Sequence, residues 1–199
     1  MEPITTTLNT LRAHGPCADS WAKALRLLGK TAPDDEPIAL GDIARHMGLV
    51  DALWCLRAVE GQDREMRLFA VACARRVQNL MTDPRSLAAL DVAERFANGA
   101  ATEDELGAAR DAAWPAADAA GAAAGAAAGA AAWDAAWDAA WDAAGAAAGD
   151  TAWGAAGAAA RAAARAAAGG TAGTAERQWQ AQKFIEIFGG NDETDHHHS

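Results

Sequence analysis

The sequence predicts an all-α protein: an N-terminal bundle of short helices, then a close-packed Ala/Gly-rich helical hairpin, then a C-terminal amphipathic helix. Three observations carry this expectation. Apolar residues in the first half recur at helical spacing between recognisable start and stop signals. No segment shows the period-2 alternation of a half-buried strand, so no sheet is expected. Alanine, the strongest helix former, supplies 59 of the 199 residues, and after residue 100 it falls into a four-residue repeat.

Taken in chain order, a first helix is expected from about Asp19 to Leu28, ended by Gly29, because glycine adopts the left-handed C′ conformation without strain. Residues 30–37 (KTAPDDEP) form a polar loop. Short helices around 39–47 and 50–59 end at Gly48 and Gly61. A longer one spans 63–81, with Met66, Phe69, Ala70, Cys73, Val77 and Leu80 at helical spacing. Asp83 caps the next helix with Pro84 in its first turn, and Gly99 closes it. Thr102 and Glu105 have the spacing of a capping box that opens the alanine-rich half.

The larger apolar side chains fall mostly before residue 100, so residues 1–100 are expected to hold a conventional helical core. Residues 101–190 are expected as alanine-rich helices packing on or extending it. Residues 191–199 read as a disordered tail, in which His196, His197 and His198 are solvated rather than a metal site.

The repeat keeps a strict register. Every fourth residue from 121 is Gly, Trp or Arg: three glycines, then Trp133, Trp137 and Trp141, later Trp153, Arg161 and Arg165. The following position is usually Ala or Asp (Asp118, Asp134, Asp138, Asp142, Asp150), and the other two are almost always Ala. Gly, Trp and Arg differ by a first codon base, and Ala and Asp by a second, as expected of a twelve-nucleotide repeat. Four residues turn a helix by about 400°, so the special stripe drifts by about 40° per repeat. One helix over 121–173 would be about 80 Å long, and Gly149-Asp150-Thr151 is the expected break into a hairpin. That fold sets Asp134 opposite Arg165 and Asp138 opposite Arg161. A second break at Gly169-Gly170 precedes the last helix, with Trp179, Phe184, Ile185 and Phe188, which is expected to dock on the first-half core.

Charge is divided unevenly. Residues 1–100 carry 12 basic and 13 acidic side chains, whereas residues 101–199 carry 5 and 14. The acidic half argues against duplex nucleic acid, whose phosphates must be neutralised by Lys and Arg. The alanine runs are interrupted too often by Asp and Gly to span a membrane. Cys17, Cys55 and Cys73, odd in number and without CxxC spacing, read as reduced, mostly buried thiols, which fits a cytoplasmic protein. The first residues show no signal peptide.

Two features are candidate sites. The Trp–Asp ladder fills space between alanine-coated helices, or it forms a stacking wall for a planar ligand or a cationic partner. Arg161 and Arg165, one turn apart, pair with the ladder's aspartates, or they clamp phosphates as a two-pronged guanidinium site. Arg75 and Arg76 can supplement that clamp, or belong to a solvated face. The expected ligand-binding set is therefore Trp133, Trp137, Trp141, Trp153, Arg161, Arg165, Arg75 and Arg76. His14 and His46 have no neighbouring motif, and no HExxH, GxSxG, P-loop or GxGxxG occurs. No catalysis, cofactor or metal is expected.

The stretch from Asp51 to Gly99, with LFAVACARRV and DPRS, followed by ATEDELGAARDAAW and closed by AQKFIEIFG, resembles a family of alanine-rich hypothetical proteins of bacteria and phages. A narrower similarity, over the DPRS-to-AERFA helix and the following alanine helices, is to immunity proteins of bacterial toxin systems. The first resemblance implies no assigned reaction or ligand. Together these features lead to the expectation of a phage-encoded, non-enzymatic anti-defence sponge for an anionic, nucleotide-like small molecule. The alternatives are an acidic immunity or interaction protein that blocks a basic partner, and a structural module that oligomerises through its Ala/Gly helices.

Overall fold

The structure is a computed structural model, and it describes residues 2–81, 83–113, 115 and 171–190. The described chain is all-α apart from one minimal ladder. Its elements are β1 (Thr5–Thr6), α1 (Leu8–Ala13), α2 (Ala18–Leu27), β2 (Ile38–Ala39), α3 (Leu40–Met47), α4 (Leu49–Cys55), α5 (Asp63–Arg76) and α6 (Pro84–Ala97). A helix over 103–113 and the C-terminal helix Thr171–Phe188 complete it. The described residues fall into two compact units, one of those up to Glu60 with those from Trp179 onward, the other of those between Gly61 and Gln178.

In the first unit, the local signals act as expected. Gly29 stands at φ +65° just beyond α2. Gly48, at φ +98°, ends α3 and begins α4, a corner that an L side chain rarely adopts. The helix expected over 50–59 is α4 followed by a 3-10 turn, Leu56–Ala58. The expected absence of a sheet is corrected: Thr5 pairs with Ala39 and Thr6 with Ile38, antiparallel. Two residues per strand are too few to show alternation. The ladder forms because extended backbone entering α1 and α3 has polar groups to satisfy. Ile4 extends it, donating to the Phe188 carbonyl at 3.1 Å while its own carbonyl accepts from Leu40 at 2.9 Å. The end of the C-terminal helix thus docks on the first residues of the chain, with Phe184 and Phe188 fully buried and their rings 4.5 Å apart. Trp179 and Ile185, expected on the same face, are half-buried flanks. Leu8, Leu40 and Leu56 complete the centre of this core.

In the second unit, Met66, Phe69, Ala70 and Cys73 of α5 are buried as the periodicity predicts. The helix expected over 63–81 stops at Arg76, and a 3-10 turn over Gln78–Leu80 follows. The Asp83 carboxylate accepts from the Arg85 N–H at 2.9 Å with Pro84 in the first turn. Thr102 and Glu105 form the capping box in full: Thr102 N–H donates to the Glu105 carboxylate at 2.8 Å, and Glu105 N–H to the Thr102 hydroxyl at 3.2 Å. One buried cluster here is rich in alanine: Val71 of α5, Ala89 and Ala93 of α6, and Leu106 and Ala113 of the helix 103–113. Alanines four apart give each helix a smooth stripe that allows close backbone approach.

Candidate functional site

The first unit contains an open cleft of about 370 Å³ between α2, α3 and α4. Its walls follow from helical spacing. Trp21, Ala24 and Leu28 share one face of the α2 segment; Ile43 and Met47 stand one turn apart on α3, as do Val50 and Trp54 on α4. Ala24 is the short member of the α2 stripe, and its missing side-chain volume leaves space between longer neighbours. Leu27, Leu28 and Val50 line the mouth at 50%, 39% and 82% exposure, and these are the large apolar side chains left in water among the described residues. Single exposed apolar residues are unremarkable, whereas these three all belong to the lining of one cleft.

A polar latch holds one edge. Asp51 on α4 accepts from the Ser20 hydroxyl at 2.8 Å and pairs with Lys23 at 3.3 Å, and Lys23 also donates to the Met47 carbonyl at 2.7 Å. α2 is thereby tied to α3 and α4 by charge-assisted bonds. Asp42, also on the wall, is paired with Arg45 at 2.8 Å. Each cleft tryptophan carries a guanidinium on its ring: Arg12 lies 5.8 Å from the Trp21 centroid and Arg57 4.5 Å from that of Trp54. Neither arginine belongs to the cleft wall.

Two thiols line the cleft with opposite chemistry. Cys17, at the exposed N-cap of α2, is held below the ordinary thiol range by the Ser20 hydroxyl and then by the Ser20 backbone N–H, which favour its thiolate. That hydroxyl has one proton, for which the Asp51 carboxylate competes. Cys55 is buried, and desolvation, with Asp51 nearby, pushes it up to about 12, so it stays protonated. Among the described residues no group of three or more His, Cys, Asp or Glu is placed to hold a metal ion.

Of the site residues expected from sequence, Arg75 and Arg76 are described. Arg75 binds Asp91 at 2.6 Å and Glu94 at 2.9 Å, both on α6. Arg76 pairs at 3.2 Å with Glu176, a carboxylate left only 5% exposed. Both cations are therefore engaged by carboxylates. Trp133, Trp137, Trp141, Trp153, Arg161 and Arg165 lie outside the described residues, as do the hairpin at Gly149-Asp150, its expected Asp–Arg pairs and the tail. The cleft was missed in sequence because Trp21 and Trp54 look like core residues and His46 has no partner motif. The available signal was the apolar Trp21–Ala24–Leu28 stripe on a short helix with a small residue at its middle.

No helix among the described residues is long and apolar enough to cross a membrane. Comparison of the chain with family models, with curated proteins and with solved structures finds no match.

Proposed function

We propose that this chain is a non-enzymatic helical binding protein that sequesters a small molecule, and that the cleft between α2, α3 and α4 is its ligand site. The observation that carries the proposal is the cleft's composition. An apolar cavity at the lower end of ligand-pocket volumes opens to solvent through the exposed Leu27, Leu28 and Val50. Leaving such side chains in water costs about 25 cal/mol per Å², and a ligand recovers that cost. Titration of the full chain with N-phenyl-1-naphthylamine, a neutral apolar dye, tests this. Saturable one-to-one uptake with a fluorescence rise is expected, and a folded chain that takes up no dye overturns the proposal.

A second reading keeps an anionic, nucleotide-like ligand on the repeat, favoured by two arginines four residues apart in the same repeat as the Trp ladder. Arg75 and Arg76 already engage carboxylates, so this reading rests mainly on the positive charge of Arg161 and Arg165. The resemblance to alanine-rich phage and bacterial proteins fits an anti-defence sponge of this kind. Isothermal titration against cyclic and linear nucleotides checks it, and no heat with any of them tells against it. A stable basic protein partner captured by the chain would favour the immunity-like alternative instead.

A further inference from the structure

We infer that the cleft takes a neutral, electron-rich planar molecule of two to three fused rings, an inference that rests on the cleft being a ligand site. Size gives the first limit. An apolar cavity of about 150 Å³ accommodates a single benzene ring, so 370 Å³ accommodates two to three.

Charge gives the second limit. The carboxylates of the wall are Asp42 and Asp51. An anionic ligand would face both carboxylates, while their partner cations Arg45 and Lys23 are not on the wall. A cationic one would have to compete with Arg45 for Asp42, and with Lys23 and Ser20 for Asp51, where geometry is already good at 2.8 to 3.3 Å. An uncharged ligand meets neither cost.

The tryptophans give the third. Trp21 and Trp54 line the cavity, whereas Arg12 and Arg57, each over one of those rings, do not. A cation over one face of a ring draws π-density toward itself. The opposite surface is then a poorer seat for a second cation and a better one for an electron-rich ring, stacked with an offset or edge-on. Two half-buried indoles fixed this way favour a flat body over a flexible chain, which would lose rotamer freedom on entry. At the mouth, His46 and Cys17 can hydrogen-bond a phenolic or ring N–H group.

Isothermal titration of the full chain with four probes tests the inference: 2-naphthol, 2-naphthoate, 2-naphthylmethylammonium and 1-decanol. The neutral naphthol should bind one-to-one, and the other three at least tenfold more weakly. Ala24→Leu adds bulk to the α2 stripe and should weaken naphthol binding tenfold or more in protein that still unfolds cooperatively. Trp54→Leu should weaken it similarly, with circular dichroism checking the fold. Decanol or a charged naphthalene binding as well as naphthol overturns the ligand class while the ligand-site proposal stands. Silence from all four with folded protein overturns both, and naphthol binding that survives Ala24→Leu overturns its placement in the cleft.

Discussion

A β-carbon on Gly41 would stand 2.6 Å from the Cα of Gly189, so α3 and the residue after the C-terminal helix meet backbone to backbone. Two effects compete in Gly41→Ala. Helix propensity favours alanine by about 1 kcal/mol, whereas overpacking costs about 1–3 kcal/mol. Overpacking wins because the obstacle is main chain and cannot rotate away. Gly41→Ala should lower stability in urea unfolding. Gly107→Ala, where nothing lies within 4 Å of the added carbon, should raise it by about 0.5–1 kcal/mol. Equal effects at the two sites would refute the close approach.

Arg75 holds two exposed carboxylates, and Arg76 pairs with one buried carboxylate. Exposed pairs are worth at most about 1 kcal/mol each. Removing one cation from beside a buried carboxylate weakens its compensation more than an exposed pair would lose, by about 1–3 kcal/mol. Arg76→Ala should therefore destabilise more than Arg75→Ala, and the gap should persist in 0.5 M salt. The reverse order in chemical unfolding would show that Glu176 does not depend on Arg76.

Thr102→Ala removes one half of the capping box and should cost about 1 kcal/mol, with loss of helicity. Asp83 gives the pH counterpart. Hydrogen bonds from the Arg85 side chain and then its backbone N–H lower the Asp83 carboxyl from 3.8 to about 2. On acidification the unfolded chain takes up this proton first. The cap's contribution is therefore present above about 4 and is lost as pH falls toward 2. Asp83→Asn keeps an acceptor without the charge, so the difference in thermal midpoint from wild type should shrink across that window.

Cys17 should react with iodoacetamide first and from a lower pH than a free thiol, because its thiolate is favoured by Ser20. Cys55 and Cys73 are buried and should react only on unfolding. Mass spectrometry after short labelling checks the order, and early modification of Cys55 would contradict its burial. Bound 2-naphthol should slow labelling of Cys17 at the cleft mouth.

Much of the helical order was legible because its signals are local. Gly29, Gly48 and Gly99 end helices by adopting positive φ, and Asp83-Pro84 and Thr102/Glu105 begin them through bonds that span two or three residues. The β1–β2 pairing was not legible, since Thr5 and Ala39 meet only after α1, α2 and a loop close. The pairing of Arg76 with Glu176, 100 residues away, was hidden for the same reason. The cleft is illegible in a stronger sense: its volume depends on the spacing of three helices and on short lining side chains such as Ala24 and Ser20. Periodicity shows that Trp21, Ile43 and Trp54 share apolar faces, but it does not show that those faces fail to close.

The account stands most directly on whether ligand enters that gap. In a methyl-resolved NMR titration with 2-naphthol, the methyls of Leu27, Leu28, Ile43 and Val50 should shift together and saturably. Those of Val71 and Leu90, buried in the other unit, should stay in place. No saturable shift in the first group, or equal shifts in both, would contradict the cleft as the binding site.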